Sequence, residues 1–170
     1  MSAGNKEAIS IEGSESSSSS YQDELCCMIE GTRMFASFSR YDIEIIAHYA
    51  TTVEIESGET LFSEGEKGRQ MYLVTKGSIK ILKDSGGETK SLFTVQQGHT
   101  LGEMSLFDNL PYSASAVAAQ DSNLVSISYS NFDQLAQEHP FLGFNILKRI
   151  ARLMSLRLRH TTGALVDHID

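Results

Sequence analysis

The chain has only two cysteines, and they are adjacent, Cys26 and Cys27. Neighbouring residues rarely close an unstrained disulfide, so no oxidised scaffold is indicated, and two thiols alone do not make a zinc site. A reducing compartment is favoured. No apolar run approaches the roughly 18 residues of a membrane span, and the N-terminus lacks the basic start and apolar stretch of a secretory signal. A cytoplasmic location without a membrane span is therefore expected. Positive charge is also scarce: the formal charge is −8, from 14 Lys and Arg against 22 Asp and Glu. Residues 31–140 carry 8 basic and 14 acidic side chains, and only the last 30 residues reverse the balance, with 5 basic against 2 acidic. An acidic body argues against nucleic acid as the main partner, because phosphate binding rests on clustered Lys and Arg.

What remains is 170 residues with 41% hydrophobic content, enough for one domain with a sizeable core. Residues 1–20, with the tract Ser16 to Ser20, lack the apolar surface that offsets ordering, and a disordered leader is expected there. Residues 21–50 form an N-terminal helical segment in which Ser39 caps a helix, Asp42 sits in the first turn, and Ile43, Ile46 and Ala47 recur at helical spacing.

Over 51–128 the pattern changes to seven short β-type runs separated by glycine: 53–56, 60–62, 70–75, 78–83, 89–95, 113–119 and 123–128. No helix of crossover length interrupts them, so an antiparallel sandwich or barrel follows, with Gly86-Gly87 marking a hairpin. Helical spacing returns over 129–170. Ser130 caps a first helix whose stripe is Phe132, Leu135 and Ala136, and His139-Pro140 ends it. In a longer second helix Ile146, Leu147, Ile150, Leu153, Met154 and Leu158 share one face, Lys148, Arg152 and Arg159 lie on another, and Gly163 weakens its end.

The most informative stretch is 102–116, where glycine opens a very short helix that leads into a strand. Gly102-Glu103, then Met104 to Phe107, then Pro111-Tyr112-Ser113-Ala114 resembles the phosphate-binding cassette of cyclic-nucleotide-binding domains. The runs Gly58 to Gly65 and Met71 to Ile81 are similar to that family's first strands, so the likeness covers residues 35 to 160. It implies a mainly β fold, an antiparallel β-roll or jelly roll with a helix before it and two after. It further implies a regulatory module rather than an enzyme, with cAMP or cGMP as ligand and no metal or other cofactor. Carried over by position, Gly102, Glu103, Met104, Ser113 and Ala114 contact sugar and phosphate, with Glu103 accepting from the ribose 2′-hydroxyl. Thr161 and Thr162 correspond to the place where catabolite-activator-like members offer a hydroxyl to the base.

The sequence departs from the family's pattern at Tyr112, which stands where a phosphate-clamping arginine is usual. A neutral phenol does not replace a guanidinium, and losing one charge-assisted bond lowers affinity by about 10- to 150-fold. Arg69, before the run at Met71, is a candidate substitute charge. As a lip, Tyr112 either stacks on a base or plugs the pocket.

The family also implies a homodimer through the long helix, with packing on the chain's own roll as the alternative, and a protein effector that the sequence does not identify. Transcription factors of this type continue into a helix-turn-helix after that helix, and the chain ends at Asp170, so direct DNA binding is not expected. Two other classes stand beside this reading. One is a degenerate module that keeps the fold but binds another ligand or only protein partners. The other is a cupin-type metal enzyme, for which His48, His99, His139, His160 and His168 lie far apart.

Overall fold

Alternation of apolar and polar side chains builds the middle of the chain, and the computed structural model describes residues 13–166. Strands β1 (Thr51–Ile55), β2 (Thr60–Phe62), β3 (Gln70–Lys76), β4 (Ser78–Ser85), β5 (Glu88–Gln96), β6 (Thr100–Leu101), β7 (Ser115–Ala118) and β8 (Ser122–Ser128) form two four-stranded sheets. Their orders are β1-β8-β3-β6 and β2-β7-β4-β5, and every pairing is antiparallel. This is the β-roll the sequence pattern indicated, with an eighth strand. The additional strand, β6, is two residues long, too short for any alternation to register in sequence. It forms because Leu101 and Thr100 pair with Tyr72 and Leu73 on the open side of β3. Between the sheets lies a core of Phe62, Tyr72, Val74, Ile79, Ile81, Leu101, Ala116 and Leu124.

Five helices flank the roll: α1 (Gly13–Glu30), α2 (Arg40–His48), α3 (Glu103–Asp108), α4 (Tyr129–Glu138) and α5 (Pro140–Val166). At α2 the predicted start is seen in full, since the Ser39 hydroxyl accepts from the Asp42 amide and the Asp42 carboxylate accepts from the Ser39 amide. At α4 the cap moves two residues upstream. Ser128, still extended at the end of β8, accepts from the Asn131 amide, so Ser130 lies inside the first turn instead of capping it.

The leader expected to be disordered over 1–20 is helical from residue 13 onward, and residues 1–12 lie outside the described part. Composition does not decide this segment. The helix is anchored at its far end, where Leu25, Cys26 and Ile29 are buried against the helical core, and Tyr21 hydrogen-bonds the backbone amide of Thr52. Helical structure then propagates backward from a packed nucleus at about one hydrogen bond per residue fixed.

The helices share a second core with the outer face of the β3–β8 sheet, including Ile43, Ile46, Met71, Ile127, Leu135 and Ile146. Each such side chain, buried from water, contributes about 1.5–3 kcal/mol. The apolar face read for α5 divides in two. Leu142, Ile146 and Ile150 are buried with Leu153 and Met154 against them, whereas Leu147 and Leu158 are exposed. Positions 147 and 158 turn away because the 3.6-residue period places 142, 146, 150 and 153 toward the roll.

Candidate functional site

Gly102 opens the site. It holds φ 79° and starts α3 in the left-handed region, and a Cβ there would lie 2.7 Å from the Gln70 carbonyl oxygen. Only glycine meets both demands. The turn it makes sends the next residue, Glu103, inward, and that carboxylate is 4% exposed. Ser105 reinforces the turn by donating to the Gly102 carbonyl.

Glu103 lines a small cavity whose wall also includes Phe62, Ile81, Phe93, Val95, Leu101, Met104, Ser105, Tyr112, Ser113, Ala114 and Arg157. The structure thus brings together Gly102, Glu103, Met104, Tyr112, Ser113 and Ala114, which the sequence singled out. It adds Arg157 from α5, which the sequence analysis did not single out among the five basic residues of the last 30. Arg157 Nη1 donates to Glu103 Oε1 and Nη2 to the Thr100 carbonyl. A periodicity analysis had no means of finding this contact, because the two residues are 54 positions apart. Glu103 Oε2 and Thr100 Oγ1 are buried without a partner among the described residues. An unpaired buried acceptor costs about 1–3 kcal/mol, so the cavity keeps an unmet demand for a donor.

Tyr112 is buried, and its ring stacks on Phe62 at 3.8 Å between centroids and 17° between planes. Its hydroxyl donates to the Gln70 carbonyl at 3.3 Å. The ring fits because Gly68 has no side chain: a Cβ there would come within 1.9 Å of Tyr112 Cζ. Tyr112 is therefore part of the interior of the roll and plugs it, not an aromatic lip at the mouth. Burial also holds its phenol above the ordinary tyrosine value, and that of neighbouring Tyr72 likewise. Both stay neutral donors.

Arg69 does not replace the missing clamp. Its guanidinium lies 4.5 Å from the centre of the Tyr129 ring, and it is not among the residues of the cavity wall. Lys83 reaches the cassette from outside, donating to the Ser113 carbonyl at 2.7 Å, and it is paired to Glu64 at 2.6 Å.

The cavity has a volume of about 100 Å³. Beside it runs a larger apolar groove of about 670 Å³ between β5 and α5, lined by Leu92, Phe93, Val95, His99, Arg157 and Thr161 among others. Phe93, Val95 and Arg157 border both. Of the two threonines offered as base caps, Thr161 lines the groove and Thr162 does not. Both hydroxyls donate back to α5, to the Arg157 and Leu158 carbonyls. Among the described residues no group of three or more His, Cys, Asp or Glu is placed to hold a metal ion.

A two-sheeted roll closed by helices, with a buried carboxylate at an internal turn and a helix reaching in to touch it, defines a regulatory small-molecule-binding module. The comparisons with known proteins agree. The model of the cyclic nucleotide-binding domain matches residues 52–139, just over half of the sequence. The chain belongs to that family. It is 27% identical over 125 residues to the cyclic AMP receptor protein of Thermus thermophilus, covering 73% of this chain and 58% of that protein. It is 32% identical over 110 residues to lysophospholipase nte1 of Neurospora crassa, covering 63% of this chain and 7% of that one. Among solved structures it resembles a cyclic nucleotide-binding domain from Methylobacillus flagellatus, with TM-score 0.76, 26% identity, and 86% and 83% of the two chains covered. The chain thus spans little more than half of the first curated relative and a small part of the second.

Proposed function

We propose that this chain acts as a sensor module: a ribosyl ligand enters the cassette cavity, places a hydroxyl on Glu103, and thereby resets α5. The family's ligands, cAMP and cGMP, define the class. The observation that carries the reading is the Arg157–Glu103 pair, which ties the candidate ligand carboxylate directly to the C-terminal helix. A ligand hydroxyl donating to Glu103 competes with or complements Arg157, so occupancy and helix position are linked whenever the two arrangements bind ligand unequally. The role is regulatory, not catalytic, with output to a protein effector. A reducing cytoplasm suits the free thiols of Cys26 and Cys27. The exposed side of α5 is the surface for a second copy of the chain.

A second reading draws on the buried Tyr112, which puts a neutral plug where a cyclic phosphate needs a cation. On that reading the fold serves another ligand or only protein partners.

Calorimetric titration with cAMP and cGMP tests the main reading. It is run on the wild-type protein, on Tyr112→Arg and on Ser113→Arg, at a position that is exposed. Binding by any of the three that weakens at least about tenfold on adding Glu103→Ala supports a ribosyl site. If none of the three correctly folded proteins binds either nucleotide or the parent nucleosides, adenosine and guanosine, titrated alongside, the sensor reading is wrong.

A further inference from the structure

We infer that the natural ligand of the cassette is an uncharged nucleoside rather than a cyclic nucleotide, an inference that rests on the sensor reading above. Charge at the cavity decides it. The wall holds two charged side chains, Glu103 and Arg157, and they neutralise one another. The neighbouring cations are engaged elsewhere: Arg69 lies over Tyr129, and Lys83 is fixed between Glu64 and the Ser113 carbonyl outside the wall. α3 has only six residues, too short a stack of peptide dipoles to stand in for a cation.

A cyclic phosphate carries a full negative charge into this site and finds no free partner, and burying an unpaired ion is far costlier than burying a hydroxyl. Drawing Arg157 over to the phosphate does not help, since it strips the 4%-exposed Glu103 of its one ionic partner. A nucleoside avoids both penalties. Its 2′-hydroxyl is a donor for Glu103 Oε2, the buried acceptor left without a partner. Its other ribose hydroxyls face a wall whose remaining polar side chains, Ser105, Ser113 and Tyr112, carry no charge. The base then lies in the adjoining apolar groove, against Phe93 and Val95 and toward Thr161.

The test is calorimetric titration of the wild-type protein with adenosine, guanosine, cAMP and cGMP, repeated on Tyr112→Arg and Ser113→Arg after circular dichroism shows each variant folded. Wild type is expected to bind at least one nucleoside about tenfold or more tighter than its own cyclic phosphate, and an introduced arginine to reverse that order. Equal or tighter binding of the cyclic nucleotide by wild type overturns the inference. So does a wild type that ignores nucleosides while an arginine variant binds cyclic nucleotide, a result that leaves the sensor reading standing. Silence of all three proteins toward all four compounds removes the sensor reading itself.

Discussion

Replacing Arg157 by alanine removes the one side chain that partners a carboxylate sealed inside the roll. Had both members of the pair been fully buried, stripping one would cost about 3–5 kcal/mol; for a fully exposed pair the figure is about 0–1 kcal/mol. Glu103 belongs to the first case and Arg157, with 37% of its side chain exposed, leans to the second. Solvent screening therefore discounts the upper figure, and about 2 kcal/mol is the expected loss, including the bond to the Thr100 carbonyl. For a chain of this size that corresponds to a melting temperature lower by roughly 4–8 °C.

Glu103→Gln in the same protein removes the charge that needs a partner. The double variant Glu103→Gln with Arg157→Ala should accordingly lose about 1 kcal/mol less than the two single losses added together. Urea unfolding at neutral pH, followed by circular dichroism, measures all four corners of this cycle. A loss below about 0.5 kcal/mol for Arg157→Ala, or strict additivity in the cycle, would show that the pair is an incidental surface contact. In that event α5 is not tied to the cassette, and the mechanical link between site and helix fails with it.

Three further outcomes are expected. Gly68→Ala forces the Tyr112 ring off Phe62, because the new methyl falls 1.9 Å from Tyr112 Cζ, and should destabilise by about 1–3 kcal/mol; a melting temperature unchanged from wild type would contradict the packing described. Burial raises the phenol pKa values of Tyr72 and Tyr112 above the ordinary 10.0, so the unfolded chain releases those protons first as pH rises. Their contribution to stability is full below about pH 10 and is lost as pH climbs through the folded values. Alkaline unfolding curves should show this loss, and Tyr72→Phe with Tyr112→Phe should flatten it; an unaltered slope in the double variant would refute the assignment. Finally, Phe144, Leu147, Ala151, Met154 and Leu158 recur at alternating three- and four-residue steps on α5, and Phe144, Leu147 and Leu158 are exposed. Sedimentation velocity should find a dimer that Leu147→Glu dissociates, and a wild-type monomer at tens of micromolar would exclude that interface.

The fold class was legible in the sequence because it depends on local periodicity. Two-residue alternation over 51–128, glycine at the corners, and a polar-capped apolar stripe at Ser39 to Ala47 each report on a backbone within a few residues of themselves. The cassette was legible through its resemblance to a family motif carried by near neighbours in sequence, Gly102-Glu103 and Pro111 to Ala114, and the left-handed turn found there calls for glycine. Where a feature is long-range or very short, sequence was silent or misleading. The Ser-rich stretch from residue 13 reads as a solvated leader by composition, yet it continues a helix nucleated by Leu25 and Ile29, and β6 is two residues that pair only because β3 offers an edge. Leu147 and Leu158 were assigned to a single face because a helical wheel does not say which side meets the roll.

Tertiary structure alone decided the state of the site. Arg157 reaches Glu103 across 54 residues of sequence because α5 packs its Ile146 and Ile150 stripe onto the helical core, which fixes where its next turns fall. Tyr112 is named by the sequence as a departure from the family's pattern, but its burial on Phe62 depends on Gly68 lying opposite, 44 positions earlier, with no side chain in the way. Such contacts are set by the meeting of surfaces already folded, and no local pattern of residues encodes them.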